Sequence, residues 1–266
     1  MVSPSLIYTF VNALHILHYN GVLDAYGHLS MRNPDNSSTF LMARGGIAPA
    51  LVSSSEDIIE FLIADASPVD PNAPKPVMER HIHSEIYKRF SGINSVVHSH
   101  SPAVLPYAIS NVPLRAAIHM AGFVGEEVPV FDISKYYSNN DTQDLLVTNV
   151  RLGAALAAEF SANSSQATAL PNHSIVLMQS HGFAGCAADI KTVVYQAIYT
   201  QRNAQVLSDA LNLEHAFGGS TNDIIYLTPQ EAIDSYATIG QNFERPWSLW
   251  VREVEVSPLY ENSVNP

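Results

Sequence analysis

Residues 96–104 read VVHSHSPAV, and this stretch determines how we interpret the rest of the chain. On a β-strand, residues i and i+2 face the same side, so His98 and His100 would present both imidazoles to one point in space. Two unrelated polar residues on a solvent-exposed face would give the same pattern. The preceding Val96 and Val97 instead favour a buried strand, in which two imidazoles need partners. We therefore predict that this strand supplies two ligands of one metal ion.

Two further stretches supply matching donors. Apolar residues recur at helical spacing from Pro76, which predicts a helix carrying Glu79, with His83 one turn later as a supporting residue or as ordinary helix surface. His181 lies at the end of another predicted strand, beside Gly182, whose missing side chain permits close approach. Three imidazoles and one carboxylate would leave a bound divalent ion with net positive charge, so that it could act as a Lewis acid. Such ligands suit zinc, with manganese, cobalt or iron as alternatives.

Composition narrows the classes of partner. The 266 residues carry a formal charge of −12 with 13 lysines and arginines, which argues against a nucleic-acid or anionic-membrane surface and favours a small-molecule partner. The single cysteine, Cys186, excludes an internal disulfide framework. The N-terminus lacks a signal-peptide pattern and no apolar run is long enough for a membrane span, so we expect a cytoplasmic protein. We expect one domain over residues 1–266, with an irregular C-terminal tail from about residue 240.

The order of elements alternates between strands and helices. A helix from Pro4 up to Gly21 opens the chain, and Thr228, Pro229 and Glu231 form a capping box that predicts the start of a late helix. Further strands and helices follow from residue spacing and from turn residues. The predicted strands are 39–43, 57–63, 95–100, 114–119, 128–132, 174–180 and 183–187, and the other predicted helices are 102–110, 144–160 and 190–211.

Three motifs together resemble a known family. VMERHIHSEIY at 77–87, VVHSHSPAV at 96–104 and LMQSHGFAG at 177–185 are similar to the successive signatures of the class II aldolase/adducin family, over roughly residues 5–215. The resemblance implies an α/β fold, a three-layer α/β/α sandwich around a mostly antiparallel central sheet. It also implies a homotetramer with active sites between subunits. Position by position, the metal ligands of the family fall on Glu79, His98, His100 and His181.

The chain departs from the sugar-phosphate members of that family where they hold phosphate. Those members place an asparagine in the turn after the first helix and a pair of serines before the acidic ligand. Here His28 takes the place of the asparagine, and Val77 and Met78 take the place of the serines. Valine and methionine cannot donate to phosphate oxygens, so we predict a non-phosphorylated substrate. His28 and Arg44 could bind a carboxylate or phenolic oxygen, although Arg44 could equally be an ordinary solvated arginine.

A second departure concerns proton transfer. It lies in the stretch AIHMAGFVG, residues 117–125. Near this position the epimerase of the family carries an acid, and some aldolases of the family carry a tyrosine. Here His119 is the only titratable side chain before Glu126, so His119 is the candidate acid/base, with a buried structural histidine as the alternative.

The resemblance implies a metal-dependent carbon–carbon lyase acting on a non-phosphorylated hydroxy or oxo acid, in which Glu79 belongs to the catalytic site. A metal can hold the negative charge left by bond cleavage without a Schiff-base lysine. We favour decarboxylation of a hydroxylated, aromatic carboxylic acid, with aldol cleavage of a non-phosphorylated substrate as the alternative. An iron-dependent oxygenase and a non-catalytic, adducin-like interaction domain are the further alternatives.

Overall fold

The computed structural model describes residues 2–161, 169–239 and 242–265. Its centre is a seven-stranded sheet in the order β3-β2-β1-β4-β7-β6-β5. Neighbouring strands pair antiparallel, except for β5 and β6, which are parallel. The mostly antiparallel sheet predicted above is thus confirmed. The strands are β1 His28–Arg32, β2 Thr39–Ala43, β3 Ile58–Leu62, β4 Ser95–Ser99, β5 Val130–Phe131, β6 Ile175–Met178 and β7 Gly182–Ala187.

Helices flank this sheet, and short 3-10 segments connect several of the strands to them. The capping box predicted at Thr228 is present, since its side chain accepts from the Glu231 N–H group. No helix of the described residues is long and apolar enough to cross a membrane. The helices are α1 Pro4–Tyr19, α2 Arg80–Arg89, α3 Leu105–Ile109, α4 Val150–Glu159, α5 Ile190–Ala216, α6 Pro229–Thr238 and α7 Glu244–Glu255.

The sheet buries both faces, as its sequence pattern requires. Adjacent residues of β4 illustrate this: Val97 packs in one apolar cluster with α1, α5 and α7, whereas Val96 packs in a second cluster with α2 and α4. Both valines are fully buried, and burial of a side chain of this size contributes roughly 1.5 to 3 kcal/mol. The two clusters on opposite sides of one sheet make the three-layer α/β/α sandwich that the family resemblance implied.

The strand predicted over 114–119 is wrong. This segment runs as a loop in which the Leu114 carbonyl accepts from the Val128 N–H group and the Ala116 N–H group donates to Gly125. A 3-10 segment begins at His119. The strand predicted at 128–132 shortens to Val130–Phe131. Pro129 explains the second outcome, because proline has no N–H group to offer to a ladder. In the first segment, the N–H groups of Ala117 and Ile118 donate to Asn203 Oδ1 instead of to a neighbouring strand.

Two other stretches also differ from the predictions. The irregular tail predicted from about residue 240 is wrong where the structure describes it, since α7 occupies 244–255; residues 240 and 241 lie outside the described residues. Trp247, Trp250 and Val254 are buried against the cluster that contains α1, and their spacing of three and four residues is that of one helical face. The stretch after the first helix, interpreted as a turn, contains β1, which pairs with both β2 and β4.

The buried His15 makes the stability of this fold depend on pH. It donates Nε2–H to the Val52 carbonyl at 2.8 Å, and burial lowers its pKa from 6.5 to about 4. Protonation therefore favours the unfolded chain, so the contribution of neutral His15 is complete above pH 6.5 and is lost as the pH falls toward 4. We predict that His15→Gln reduces the loss of unfolding free energy over this window by about 3 kcal/mol.

Urea unfolding at a series of pH values would measure this change. Glutamine can keep the hydrogen bond to Val52 but cannot take up a proton. His215→Gln, at the exposed C-terminal end of α5, controls for loss of an imidazole. Equal pH slopes for His15→Gln and the wild type would contradict the prediction.

Candidate metal centre and substrate cavity

Four predicted ligands converge at the end of β4, the central strand of the sheet. The donor atoms of Glu79, His98, His100 and His181 all lie within 4.8 Å of one another. Glu79 Oε2 is 3.7 Å from His98 Nε2 and 3.5 Å from His181 Nε2. The Nε2 atoms of His98 and His100 are 2.9 Å apart. The structure therefore brings together residues that are up to about a hundred positions apart in the chain.

The fold aims the Nε2 atoms of His98 and His100 at the centre by occupying their Nδ1 atoms. His98 Nδ1 lies 3.1 Å from the Phe183 carbonyl of β7, which can only accept, so Nδ1 carries the hydrogen and Nε2 keeps a lone pair. His100 Nδ1 lies 3.2 Å from a carboxylate oxygen of Asp24, with the same consequence. Burial also lowers the pKa of His98 well below 6.5, so its imidazole is neutral, as a metal ligand must be.

The helix predicted from Pro76 begins only at Arg80, so Glu79 immediately precedes α2 rather than lying within it. Its carbonyl accepts from the Ile82 N–H group. One side-chain oxygen accepts from the Val147 N–H group at 2.9 Å, which leaves Oε2 facing the histidines. Burial would raise the pKa of this carboxyl, but the hydrogen bond to His181, the electrostatic influence of the nearby His98 and His181 rings and the bond from the Val147 N–H group lower it to about 2. Glu79 is therefore ionised at neutral pH.

His181 occupies the turn between β6 and β7. Gly182 permits this turn to lie against the end of β4, because a Cβ atom at Gly182 would meet the Ser99 carbonyl oxygen at 2.0 Å. The preceding Ser180 has a φ of 56°, a left-handed conformation that is uncommon outside glycine. The close approach predicted from Gly182 is thus confirmed, and it places His181 beside His100 with their rings stacked at 5.1 Å.

This donor set fits a divalent cation. Two imidazole nitrogens whose lone pairs face each other at 2.9 Å repel unless a hydrogen or a cation lies between them. The Nδ1 hydrogens of His98 and His100 are already used, so a cation is the better solution. An ionised carboxylate and three imidazoles suit zinc and related ions.

A cavity of about 830 Å³ opens beside the four side chains, and Glu79, His100 and His181 line it. His28 lines it as well, and its Nε2 is a buried atom without a hydrogen-bond partner in the described part of the chain. Most of the wall is apolar. It includes Leu14, Ile47, Pro49, Val77, Met78 and Leu146.

Two cations stand at the cavity wall, Arg44 and Lys75. Arg44 is held by Asp57, which accepts from its Nε at 3.2 Å, so the planar end of the guanidinium is oriented by the protein. A Cβ atom at Gly45 would meet the carbonyl oxygens of Lys75 and Pro76 at 2.7 Å, so glycine is needed for these two loops to touch. The predicted pair of His28 and Arg44 thus shares one cavity.

His119 is not part of this group. It is exposed at the start of a 3-10 segment and is absent from the residues that line the cavity of its own chain. The structure of one chain therefore does not bring His119 to the metal site, and its role as acid/base stays a prediction.

Two residues of the site, Asp24 and Lys75, were not singled out by the sequence as functional, and a third, His83, had a supporting role as only one of two interpretations. Asp24 orients His100, and it also accepts from the Tyr26 and Gly27 N–H groups at 2.8 and 2.7 Å. Lys75 lines the cavity, although the sequence assigned it no role. His83, for which a supporting role was one of two interpretations, is fully buried and contacts His28. The sequence did contain a signal for Asp24. An aspartate often accepts from N–H groups two and three residues later in a turn, as Asp24 does here.

Comparison with known proteins agrees with the motifs. Residues 9–208 match the family model of the class II aldolase and adducin N-terminal domain. The chain is 48% identical over 257 residues to decarboxylase tropJ of Talaromyces stipitatus, covering 96% of both proteins. It is 24% identical over 194 residues to 3,4-dihydroxyphthalate decarboxylase of Arthrobacter keyseri, covering 70% of this chain and 71% of that protein.

Solved structures share the fold at lower identity. The L-fuculose 1-phosphate aldolase of Glaciozyma antarctica superposes with a TM-score of 0.70 at 18% identity, over 97% of this chain and 92% of the aldolase.

The contact of Asp24 with His100 predicts that Asp24→Asn weakens metal binding. An asparagine can keep the bonds to the Tyr26 and Gly27 N–H groups through its oxygen, but its amide nitrogen would then face the Nδ1–H of His100. We expect a 10- to 100-fold loss of zinc affinity, the usual effect of removing a partner of a ligating histidine. Competition with a chromophoric chelator would measure this affinity.

Asp70→Asn is the matched control, because Asp70 accepts from the Asn72 N–H group in a similar turn and is not among the residues that line the cavity. Equal zinc affinity in both variants would show that Asp24 does not support the site.

Proposed function

Because this chain belongs to the class II aldolase and adducin family, we propose that it is a metal-dependent lyase that decarboxylates a hydroxylated aromatic carboxylic acid. The observation that carries the proposal is a carboxylate and three imidazoles at the end of a largely apolar cavity, in a chain 48% identical to a decarboxylase. The 3,4-dihydroxyphthalate decarboxylase, at 24% identity, supports the choice of a hydroxylated aromatic acid.

The cavity wall fits an aromatic ring better than a sugar phosphate. Val77 and Met78 line it where a phosphate would need donors, and neither side chain can supply a hydrogen. The apolar wall can bury a ring and exclude water, which strengthens every charge interaction inside the cavity. Arg44 and Lys75 can hold an acidic group of the substrate, and the bond from Asp57 fixes the direction of the guanidinium.

Loss of CO₂ from such an acid leaves the bonding electron pair on the ring or an adjacent oxygen until a proton arrives. A divalent metal, zinc in this proposal, would be held by Glu79, His98, His100 and His181 and would supply a Lewis acid for substrate oxygens. The protein itself keeps Glu79 ionised and orients the imidazole lone pairs toward one point. Aldol cleavage of a non-phosphorylated substrate would use the same residues and is distinguished by release of an aldehyde.

The proposal includes a cytoplasmic homotetramer in which His119 acts as the acid/base. Because His119 is exposed and lies outside the cavity of its own chain, it could serve a site only across a contact between subunits. Exposed apolar side chains offer surface for such contacts, among them Ile225, which is 91% exposed, and Phe217, which is 85% exposed.

We predict that the zinc-loaded protein releases CO₂ from at least one acid of a panel of mono- and dihydroxylated benzoates and phthalates. A metal chelator should abolish the release, and added zinc should restore it. His98→Ala should lower zinc content and activity together, because Nε2 of His98 is one of the donors. Coupled CO₂ detection and elemental analysis are the measurements. Turnover of a sugar phosphate with release of an aldehyde, and no CO₂ from any acid of the panel, would contradict the proposal.

The role of His119 is tested by complementation between subunits. His119→Gln should lower activity by about 10²- to 10⁴-fold, the usual effect of losing a general acid/base. Co-expression of His119→Gln chains with His98→Ala chains should restore activity, since roughly a quarter of the sites in mixed oligomers would have both histidines. His215→Gln, which removes another exposed imidazole, is the control. Mixed oligomers that stay inactive would exclude a role for His119 across a subunit contact.

A further inference from the structure

We infer that a buried polar chain, formed by Tyr87, Ser30, His83 and His28, fixes the tautomer of His28 so that its Nε2 carries hydrogen and donates to an oxygen of the substrate. In this role His83 is a positioning residue, and His28 selects substrates that present an acceptor oxygen. The inference deepens the proposed function and rests on it for the nature of the ligand. The tautomer itself rests on the structure of this chain.

The contacts of the buried polar chain are short and continuous. Tyr87 Oη lies 2.7 Å from Ser30 Oγ, Ser30 Oγ lies 2.6 Å from His83 Nδ1, and His83 Nε2 lies 2.7 Å from His28 Nδ1. The exposed fractions of the four residues are 5% or less. Two of these residues, His28 and Ser30, lie on β1, the strand that the sequence did not predict. The other two, His83 and Tyr87, lie on α2.

The Tyr87 hydroxyl ends the buried polar chain and determines which atom donates in each of its hydrogen bonds. Burial raises the pKa of Tyr87, so its hydroxyl keeps its hydrogen, and Ser30 Oγ is the acceptor that the described residues offer for it. Ser30 then has its own hydrogen free to donate to His83 Nδ1. The reverse order would leave the hydroxyl hydrogen of Tyr87 buried without an acceptor, which costs about 1 to 3 kcal/mol.

The two histidines transmit this order to the cavity. The rings of His83 and His28 are buried, and within the buried polar chain they contact a hydroxyl and each other rather than a carboxylate, so each imidazole is neutral and carries one hydrogen. His83 accepts at Nδ1 and must therefore donate from Nε2 to His28 Nδ1. His28 accepts at Nδ1 in turn, so its single hydrogen lies on Nε2.

The Nε2–H group of His28 has no acceptor among the described residues. Nε2 of His28 is buried and has no hydrogen-bond partner among the residues that the structure describes, and His28 lines the cavity together with Glu79 and His181. Since a nitrogen that carries hydrogen has no lone pair, His28 cannot ligate a metal, although its ring centroid is 4.9 Å from that of His98. A phenolate or carboxylate oxygen of a ligand can accept this hydrogen. An amino group at the same place would instead bring its own hydrogens against the Nε2–H group.

The direct test is the ¹⁵N spectrum of histidine-labelled protein, recorded before and after zinc is added. We expect His28 Nε2 to show the shift of a hydrogen-bearing nitrogen in both samples, whereas His98 Nε2 should lack hydrogen and move when zinc binds. A His28→Gln sample assigns the signal. A His28 Nε2 without hydrogen, or one that moves like a zinc ligand, would overturn the inference.

Two variants interrupt the buried polar chain without touching the cavity. Ser30→Ala removes the hydroxyl that accepts from Tyr87, and Tyr87→Phe removes the hydroxyl that donates to Ser30. Either variant should therefore give a mixture of His28 tautomers in the spectrum. If Ser30→Ala does not fold, Tyr87→Phe carries the test. Spectra identical to the wild type in the folded variants would show that the buried polar chain does not set the tautomer.

The matched controls remove similar groups elsewhere. Ser95→Ala deletes a buried hydroxyl that donates to the Ser30 carbonyl at 2.8 Å, and Tyr107→Phe deletes a buried hydroxyl that donates to the Ala204 carbonyl at 3.0 Å. Both should keep the wild-type tautomer. With zinc-loaded protein and 2,3-dihydroxybenzoate as the probe, calorimetry should give about tenfold weaker binding in Ser30→Ala and Tyr87→Phe than in these controls.

The two proposals can fail separately. If no hydroxylated aromatic acid is bound or decarboxylated while His28 Nε2 still carries hydrogen, the proposed function fails and the tautomer assignment stands. If CO₂ is released but Nε2 carries no hydrogen, the inference fails and the proposed function stands.

Discussion

The mutual repulsion of the imidazole lone pairs at the end of the central strand β4 is the constraint on which the site depends. His98 and His100 bring their Nε2 atoms to 2.9 Å, an arrangement that only a cation or a hydrogen between them can make favourable. Both Nδ1 hydrogens are engaged, one with the Phe183 carbonyl and one with Asp24, so a hydrogen between the Nε2 atoms requires one ring to take up a second proton, whereas a bound cation requires none. The energy needed to hold the imidazoles in this position comes from the buried sheet and helices on either side.

The register of the strands leaves enough room for the ligand side chains to converge. His98 pairs with His28 on one neighbouring strand and with Ala184 on the other. The small side chain of Ala184 leaves room for the imidazole. Gly182 lets the next turn come close to the end of β4. Since side chains alternate across a strand, a register shift of one residue would move His98 to the opposite face of the sheet, away from Glu79 and α2.

The sequence predicts those parts of the site that follow from local periodicity or from a motif. The i, i+2 spacing of His98 and His100, the family motif that contains Glu79 and the glycine after His181 all predicted a ligand set that the structure brings together. The predicted helical position of Glu79 was wrong, since α2 begins one residue later. Contacts between distant segments were beyond such reasoning. Asp24 supports His100 only because a turn folds back onto β4. Likewise α7 forms because Trp247 and Trp250 find an apolar surface on a distant helix, and β1 is only five residues long and begins with a histidine.

Two neighbouring histidines show how the fold gives one side chain two chemical roles. In His98, Nδ1 faces a carbonyl oxygen, which can only accept, and the ring therefore keeps its Nε2 lone pair for a cation. In His28, Nδ1 faces a nitrogen whose hydrogen is set by a serine and a tyrosine, and the ring therefore offers Nε2–H. Both rings are buried and neutral, so the difference does not depend on charge. A cavity that contains one cation site and one fixed donor can distinguish the two oxygen atoms of a bound ligand, and this distinction follows from residues that never contact the ligand.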